Sequence, residues 1–178
     1  MALLVDKLLD FAQLEAGKKS LSSEHIDLQV IVEDAVRGLA RSNPERKIDL
    51  IDPPPETTTP VFVDRTAVIH CIQNLLENAL KYSAPAAAVT VRTGLNDGAA
   101  FVEVADHGIG IPHADQQKIF QKFYRADNAR ASNVHGTGIG LALVKRIMEA
   151  HSGSVTFTSE PGKGSSFRLT FPTSEVQS

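Results

Sequence analysis

The sequence predicts an α/β protein, a two-layer sandwich in which a mixed β-sheet is covered on one face by helices, with a short helix at the N-terminus. Three observations predict it. Apolar residues recur at helical spacing in segments at 27 to 42, 65 to 82 and 139 to 150. Two alternating segments, Ala87 to Gly94 and Ala99 to Asp106, flank Asn96-Asp97-Gly98, the turn chemistry of a tight hairpin. Two further strands, 153 to 159 and 165 to 171, are joined by Pro161-Gly162-Lys163-Gly164.

In chain order, Leu4, Leu8, Phe11 and Leu14 form an apolar stripe that Gly17 can terminate. Such a helix can pack on its own domain or, because the seam suits helix pairing, end a dimerising hairpin. Asp27 caps a helix carrying Val30, Ile31, Asp34, Ala35 and Leu39 to about Arg41; whether this segment packs on the core or on the N-terminal helix is open. Lys47 to Ile51 and Val61 to Asp64 read as strands separated by Pro53, Pro54 and Pro55, which cannot continue a sheet. Val68, Ile72, Leu75 and Ala79 line one face of the next helix. Residues 111 to 137 lack regular pattern, and a loop of that length is usually a functional lid or disordered. The chain has no internal repeats or low-complexity segments.

A chain of 178 residues with net charge -3, 42% hydrophobic and 22% charged, forms one domain, or one domain with a short appendage, and offers no broad basic surface for nucleic acid. Its apolar runs fall well short of the roughly 20 residues that span a bilayer, so the segment reads as soluble, without membrane contact. No secretory leader opens it. Cys71, the only cysteine, lies in an apolar helical pattern and reads as a core residue in a reduced, cytoplasmic compartment; a parent protein anchored in a membrane is compatible with this.

The chemistry begins with Asn74, Asn78 and Lys81, spaced so that they share one face of the helix after Asp64. Amide oxygens suit Mg2+, and an amine suits phosphate; alone, the same pattern also fits an ordinary polar helix face. Asp106 ends a strand, and Gly108 and Gly110 follow it, so that a flat ligand can approach where the carboxylate would accept from an adenine amine. A turn in which Asp106 caps local amides is the plainer alternative. Gly136, Gly138 and Gly140 lead into a helix whose N-terminal amides favour phosphate. The spacing is neither the Rossmann fingerprint nor a P-loop.

The order of these motifs resembles the catalytic and ATP-binding domain of bacterial sensor histidine kinases, within the superfamily that also holds gyrase, heat-shock chaperone and mismatch-repair ATPases. The likeness runs from Leu3 to Pro172. QNLLENALKYS (73 to 83) resembles the family's asparagine box, ADHGIGIP (105 to 112) its first glycine box, IFQKFYRAD (119 to 127) its phenylalanine motif, HGTGIGLALVKRIMEAHSG (135 to 153) its second glycine box and PGKGSSFRLTFP (161 to 172) its closing hairpin. The resemblance implies a Bergerat-type fold that binds ATP and Mg2+. It implies that Asn78 ligates the metal, Asn74 lies beside metal and phosphates, Lys81 contacts phosphate and Tyr82 packs near the base. Asp106 would read the adenine amine, and Gly108 and Gly110 would let the base approach, with Ile111 beside it. Phe120 and Phe123 would anchor the lid, Gly136, Thr137, Gly138, Gly140 and Leu141 would wrap the nucleotide, and Arg125 would neutralise the terminal phosphate. Catalysis would rest on Asn74, Lys81 and Arg125.

Hydrolytic relatives in that superfamily place a glutamate one turn before the metal-binding asparagine; Asn74 occupies that position here and cannot take a proton. Transfer to a histidine of a helical domain, and relay to an aspartate of a response regulator, is therefore expected over hydrolysis. A nucleotide-sensing module without transfer and a slow ATPase are the alternatives. None of His25, His70, His107, His113, His135 or His151 has the acidic-then-proline context of the family's phosphoacceptor. LLVDKLLDFAQLEAGK resembles only the end of the second helix of the dimerisation hairpin. The expected division is thus 1–17 for that hairpin end, through which the chain would pair with a second copy, and 18–178 for the catalytic domain, with a lid at about 111–137. His107 is expected to face solvent rather than touch ribose, and His135 to lie exposed on the lid. Zinc is not supported at His113 or His151. Lys118, Lys122 and Arg125 give the lid a basic character suited to steering polyphosphate.

Overall fold

The computed structural model describes residues 12, 20–54, 56–131, 134 and 136–172. Except for Ala12, the expected N-terminal helix lies outside the described residues, and so does His135. The elements run β1 (Glu24–Asp27), α1 (Leu28–Ser42), β2 (Ile48–Ile51), β3 (Pro60–Val63), α2 (Arg65–Tyr82), β4 (Val89–Asn96), β5 (Ala99–Asp106), α3 (His113–Gln116), α4 (Asp127–Ala131), α5 (Gly140–Ala150), β6 (Ser154–Glu160) and β7 (Gly164–Pro172). Five strands form one sheet in the order β2-β4-β5-β7-β6, mixed because β2 runs parallel to β4 while the other pairs are antiparallel.

The long helices start on aspartates. Asp27 accepts the Gln29 amide at 2.9 Å, and Asp64 accepts the Ala67 amide at 2.9 Å, each satisfying one of the orphan donors of a helix N-terminus. Pro44 disfavours helical geometry at Asn43, and α1 ends there. Its buried stripe is Leu28, Ile31, Val32, Ala35 and Leu39, so α1 packs on the core. On α2 the expected face of Val68, Ile72, Leu75 and Ala79 is buried, and Cys71, Leu76 and Leu80 widen it because α1 and α5 both pack against this helix. Burying each large aliphatic of that stripe contributes about 1.5–3 kcal/mol. The stripe thereby fixes the rotation of α2 and with it the direction of Asn78 and Lys81.

Val91, Val104 and Phe167 share one register line of the helix-facing side, with Val89, Val102 and Leu169 close by. On the opposite side Arg92, Glu103 and Arg168 fall in register across β4, β5 and β7, and Glu103 accepts from both arginines. A slip of one residue would exchange these faces, so the register is strongly specified. Asp97 (φ 51) and Gly98 (φ 77) make the tight turn expected between β4 and β5.

The sequence reading left Glu24 to Asp27 outside any strand. In the structure it pairs antiparallel with β3 as a separate two-stranded ribbon. Asp27 holds the ribbon to α1: besides capping, it accepts from the buried Thr59 through Oγ1 at 2.7 Å and N at 3.2 Å. Within the lid, two short helices, α3 and α4, stand where no periodicity was visible.

Candidate functional site

A cavity of about 450 Å3 opens between α2, the ends of β5 and β7, residues 109–129 and 136–138 and the start of α5. That volume falls in the usual range of cofactor sites. Of the residues singled out by motif, Asn74, Asn78, Lys81, Tyr82, Asp106, Gly110, Ile111, Arg125, Gly136, Thr137, Gly138, Gly140 and Leu141 line it together. Gly108, Phe120 and Phe123 do not line it, for reasons given below.

One end of the cavity is built to hold negative charge. An added Cβ on Gly136 would stand 2.9 Å from Lys81 Nζ and 3.8 Å from both Arg125 Nε and Tyr82 Oη, so α2, the lid and the glycine loop converge there. Helix α5 begins at Gly140 without a side-chain cap, which leaves its first-turn amides for a ligand. Asn74 is 5% exposed; its Nδ2 donates to the His70 carbonyl at 3.0 Å, and its Oδ1 lies against Gly140, where a Cβ would come within 3.2 Å. Asn78 presents a half-buried amide beside it. Among the described residues, no group of three His, Cys, Asp or Glu side chains is placed to hold a metal ion. A cation bound here would take an amide oxygen from Asn78 and fill its shell from phosphates and water, which fits Mg2+. Glu77, which no motif flagged, also lines the cavity.

The other end is apolar, with Val104, Ile109, Ile119 and Phe167 around Asp106. Burial pushes the Asp106 carboxyl above its ordinary value, opposed by the Gly108 and Ser165 amides and by His107. Its Oδ1 accepts the Gly108 amide at 2.8 Å. Local capping leaves acceptor capacity for a ligand, since a carboxylate has about four acceptor sites. The two glycines of this segment make room for protein backbone. A Cβ on Gly108 would meet Tyr82 O at 2.4 Å, where α2 ends against this segment, and one on Gly110 (φ +63) would meet Glu160 O at 2.1 Å. His107 is exposed, as expected.

The lid is fastened at three places. The Phe120 ring meets Phe157 edge-on at 5.9 Å, and Phe157 stacks on Phe167 at 5.5 Å. Phe123, expected as a second anchor, turns its ring outward, 65% exposed; its backbone does the holding, with its amide donating to Gly138 O at 2.9 Å. Asp115 is the third and was not foreseen. It is buried in the lid and accepts from Tyr124 Oη at 2.5 Å and the Asp127 amide at 3.1 Å. The Tyr124 hydroxyl, then that amide, hold its carboxyl below the ordinary value, and Asp115 in turn raises Tyr124. Arg125 Nη2 donates to the carbonyls of Ala129, at 3.1 Å, and Val134, so its guanidinium is held within the lid at the cavity wall.

Cys71 is fully buried in the core, and burial pushes its thiol far above its ordinary value, so it is no nucleophile. Among the described residues, no helix is long and apolar enough to cross a membrane.

The sequence pattern of the family described as "Histidine kinase-, DNA gyrase B-, and HSP90-like ATPase" matches residues 63–175. The sensor-like histidine kinase SenX3 of Mycolicibacterium smegmatis is 32% identical over 97% of this chain and 44% of its own length. The sensor histidine kinase WalK of Bacillus subtilis is 32% identical over 99% of this chain and 29% of its own. The chain thus spans less than half the length of these curated relatives. Among solved structures, full-length ShkA in complex with AMPPNP superposes with a TM-score of 0.79 at 27% identity, over 95% of this chain and 35% of that one. The mycobacterial sensor histidine kinase MprB shares the fold, with a TM-score of 0.72 at 24% identity over 85% of this chain and 97% of that one.

Proposed function

We propose that this chain, which belongs to the histidine kinase-, DNA gyrase B- and HSP90-like ATPase family, is the ATP-binding catalytic domain of a two-component sensor histidine kinase. It transfers the γ-phosphoryl group of ATP to a histidine on a partner helical domain, from which a response-regulator aspartate receives it. The observation that carries this reading is that all three boxes project into one shared cavity, with an amide, Asn74, where a hydrolase of the family would hold a base.

Asp106 takes the adenine amine at the apolar end, a donor that guanine lacks at that position. Lys81, the glycine loop and the start of α5 receive the phosphates. Asn78 would hold Mg2+, which would supply charge neutralisation at the transferred group. The lid excludes water, and Asn74 withholds the proton acceptor that water would need. The bond from γ-phosphorus to the bridging oxygen breaks, a bond to an imidazole nitrogen forms, and ADP leaves. What the chain itself contributes is position and electrostatics.

The test supplies ATP labelled at the γ-position to this chain, alone and with a separate helical domain carrying an intact phosphoacceptor histidine. Acid-labile label on the helical domain, and none on this chain alone, is the expected result. Nucleotide binding without transfer to any acceptor would make the chain a sensing module instead.

A further inference from the structure

Asn128, on α4, lines the cavity, and no motif pointed to it. Its Nδ2 donates to the Gly110 carbonyl at 2.8 Å. That bond fixes the sense of the amide, because a flip would set Oδ1 against a carbonyl oxygen. Its Oδ1 is buried and has no hydrogen-bond partner among the described residues. A buried acceptor left unsatisfied is a standing cost that a ligand donor removes on arrival.

The placement of Asn128 identifies the donor. Its Nδ2 is tied to Gly110, which follows Asp106 at the apolar end. The carbonyl of the next residue, Ala129, is tied to Arg125 at the cationic end, at 3.1 Å. Asn128 therefore sits between the part of the cavity suited to a base and the part suited to phosphates. In ATP the ribose occupies that interval, and with the exocyclic amine placed at Asp106, the ribose hydroxyls are the donors that fall there. We propose that Asn128 Oδ1 accepts a hydrogen bond from a ribose hydroxyl, which makes Asn128 a specificity-determining residue for ribonucleotides. The assignment rests on the ATP reading of this cavity.

The test is calorimetric titration of the wild type, Asn128→Ala and Asn128→Asp with ATP, 2′-deoxy-ATP and 3′-deoxy-ATP. The wild type is expected to bind one of the two deoxynucleotides about fivefold more weakly than ATP, the size of one net hydrogen bond. Asn128→Ala should bind all three equally. Asn128→Asp keeps an acceptor but cannot donate to Gly110, so it should retain the discrimination while binding every nucleotide more weakly. A purely structural tether to Gly110 would weaken all three nucleotides alike and leave their ratio untouched. No discrimination by the wild type, the same discrimination in Asn128→Ala, or its loss in Asn128→Asp would overturn the ribose assignment and leave ATP binding standing. A wild type that binds none of the three would bring down the ATP reading as well.

Discussion

Replacing Gly138 with alanine should detach the lid from the phosphate end of the cavity while sparing the fold. Gly138 has φ +70, a conformation that costs an L-residue about 1–2 kcal/mol. A Cβ there would stand 2.7 Å from Phe123 C, 2.8 Å from Phe123 Cα and 2.8 Å from Tyr124 O, all backbone, so the strand of lid at 123–124 must move away. Moving it gives up the bond from the Phe123 amide to Gly138 O, worth about 1 kcal/mol net. The sum is about 2–3 kcal/mol against the closed arrangement, or roughly 30- to 150-fold in its population. Gly162→Ala is the control: at φ +79, with nothing within 4 Å of the added Cβ, it incurs only the backbone cost, outside the cavity lining. The assay pairs nucleotide affinity by calorimetry with limited proteolysis of the lid. Gly138→Ala should lose affinity by the stated factor and be cut faster in the lid. Gly162→Ala should keep its affinity and shift only Tm, by a few degrees. Affinity within twofold of wild type for Gly138→Ala, with unchanged cleavage, would refute the reasoning.

Other consequences follow from single residues. Asn74→Glu places a carboxylate where water can be activated, and general-base assistance is worth about 10²–10⁴ in rate, so ATP hydrolysis without an acceptor should rise by a factor in that range; an unchanged turnover would defeat the proposal that Asn74 withholds a base. Asp115 is held ionised more strongly in the folded lid than in the unfolded chain, so its contribution is complete above about pH 4 and fades as pH falls through the depressed value. The hydrogen-exchange protection factors of lid amides, taken relative to the intrinsic rate at each pH, should therefore fall on acidification in the wild type and lose that step in Asp115→Asn; identical profiles would remove Asp115 from the account. Cys71 should resist thiol reagents at neutral pH until the chain unfolds, and rapid labelling of the native protein would contradict its burial.

What the sequence revealed and what it hid divide along the range of the interactions. The stripes on α1 and α2, the helical segment of α5, the Asp27 cap and the turn at Asp97-Gly98 are local periodicities and local turn chemistry, and all were legible; Asp64, read as the end of a strand, caps α2 instead. Strand β1 was not. Glu-His-Ile-Asp has no apolar alternation, and it is a strand because β3 and Thr59, more than 30 residues away, supply its partners. The Asp115 hub was hidden for a similar reason: it joins three positions of the lid at a spacing belonging to no regular element. Phe123 and Gly108 were legible as residues of their motifs, but what they touch was not. The ring of Phe123 faces out while its amide holds Gly138, and Gly108 yields space to the end of α2. A motif gives a residue's neighbourhood, and only the packed chain gives what fills the space beside it.

The most direct test of the central claim is a calorimetric titration of this chain with a non-hydrolysable ATP analogue, with and without Mg2+, beside Asp106→Ala and Asn78→Ala. Binding that is lost in Asp106→Ala, and that loses its Mg2+ dependence in Asn78→Ala, is the predicted result. A folded wild-type chain that binds no nucleotide, or an Asp106→Ala variant that binds as tightly as wild type, would contradict it.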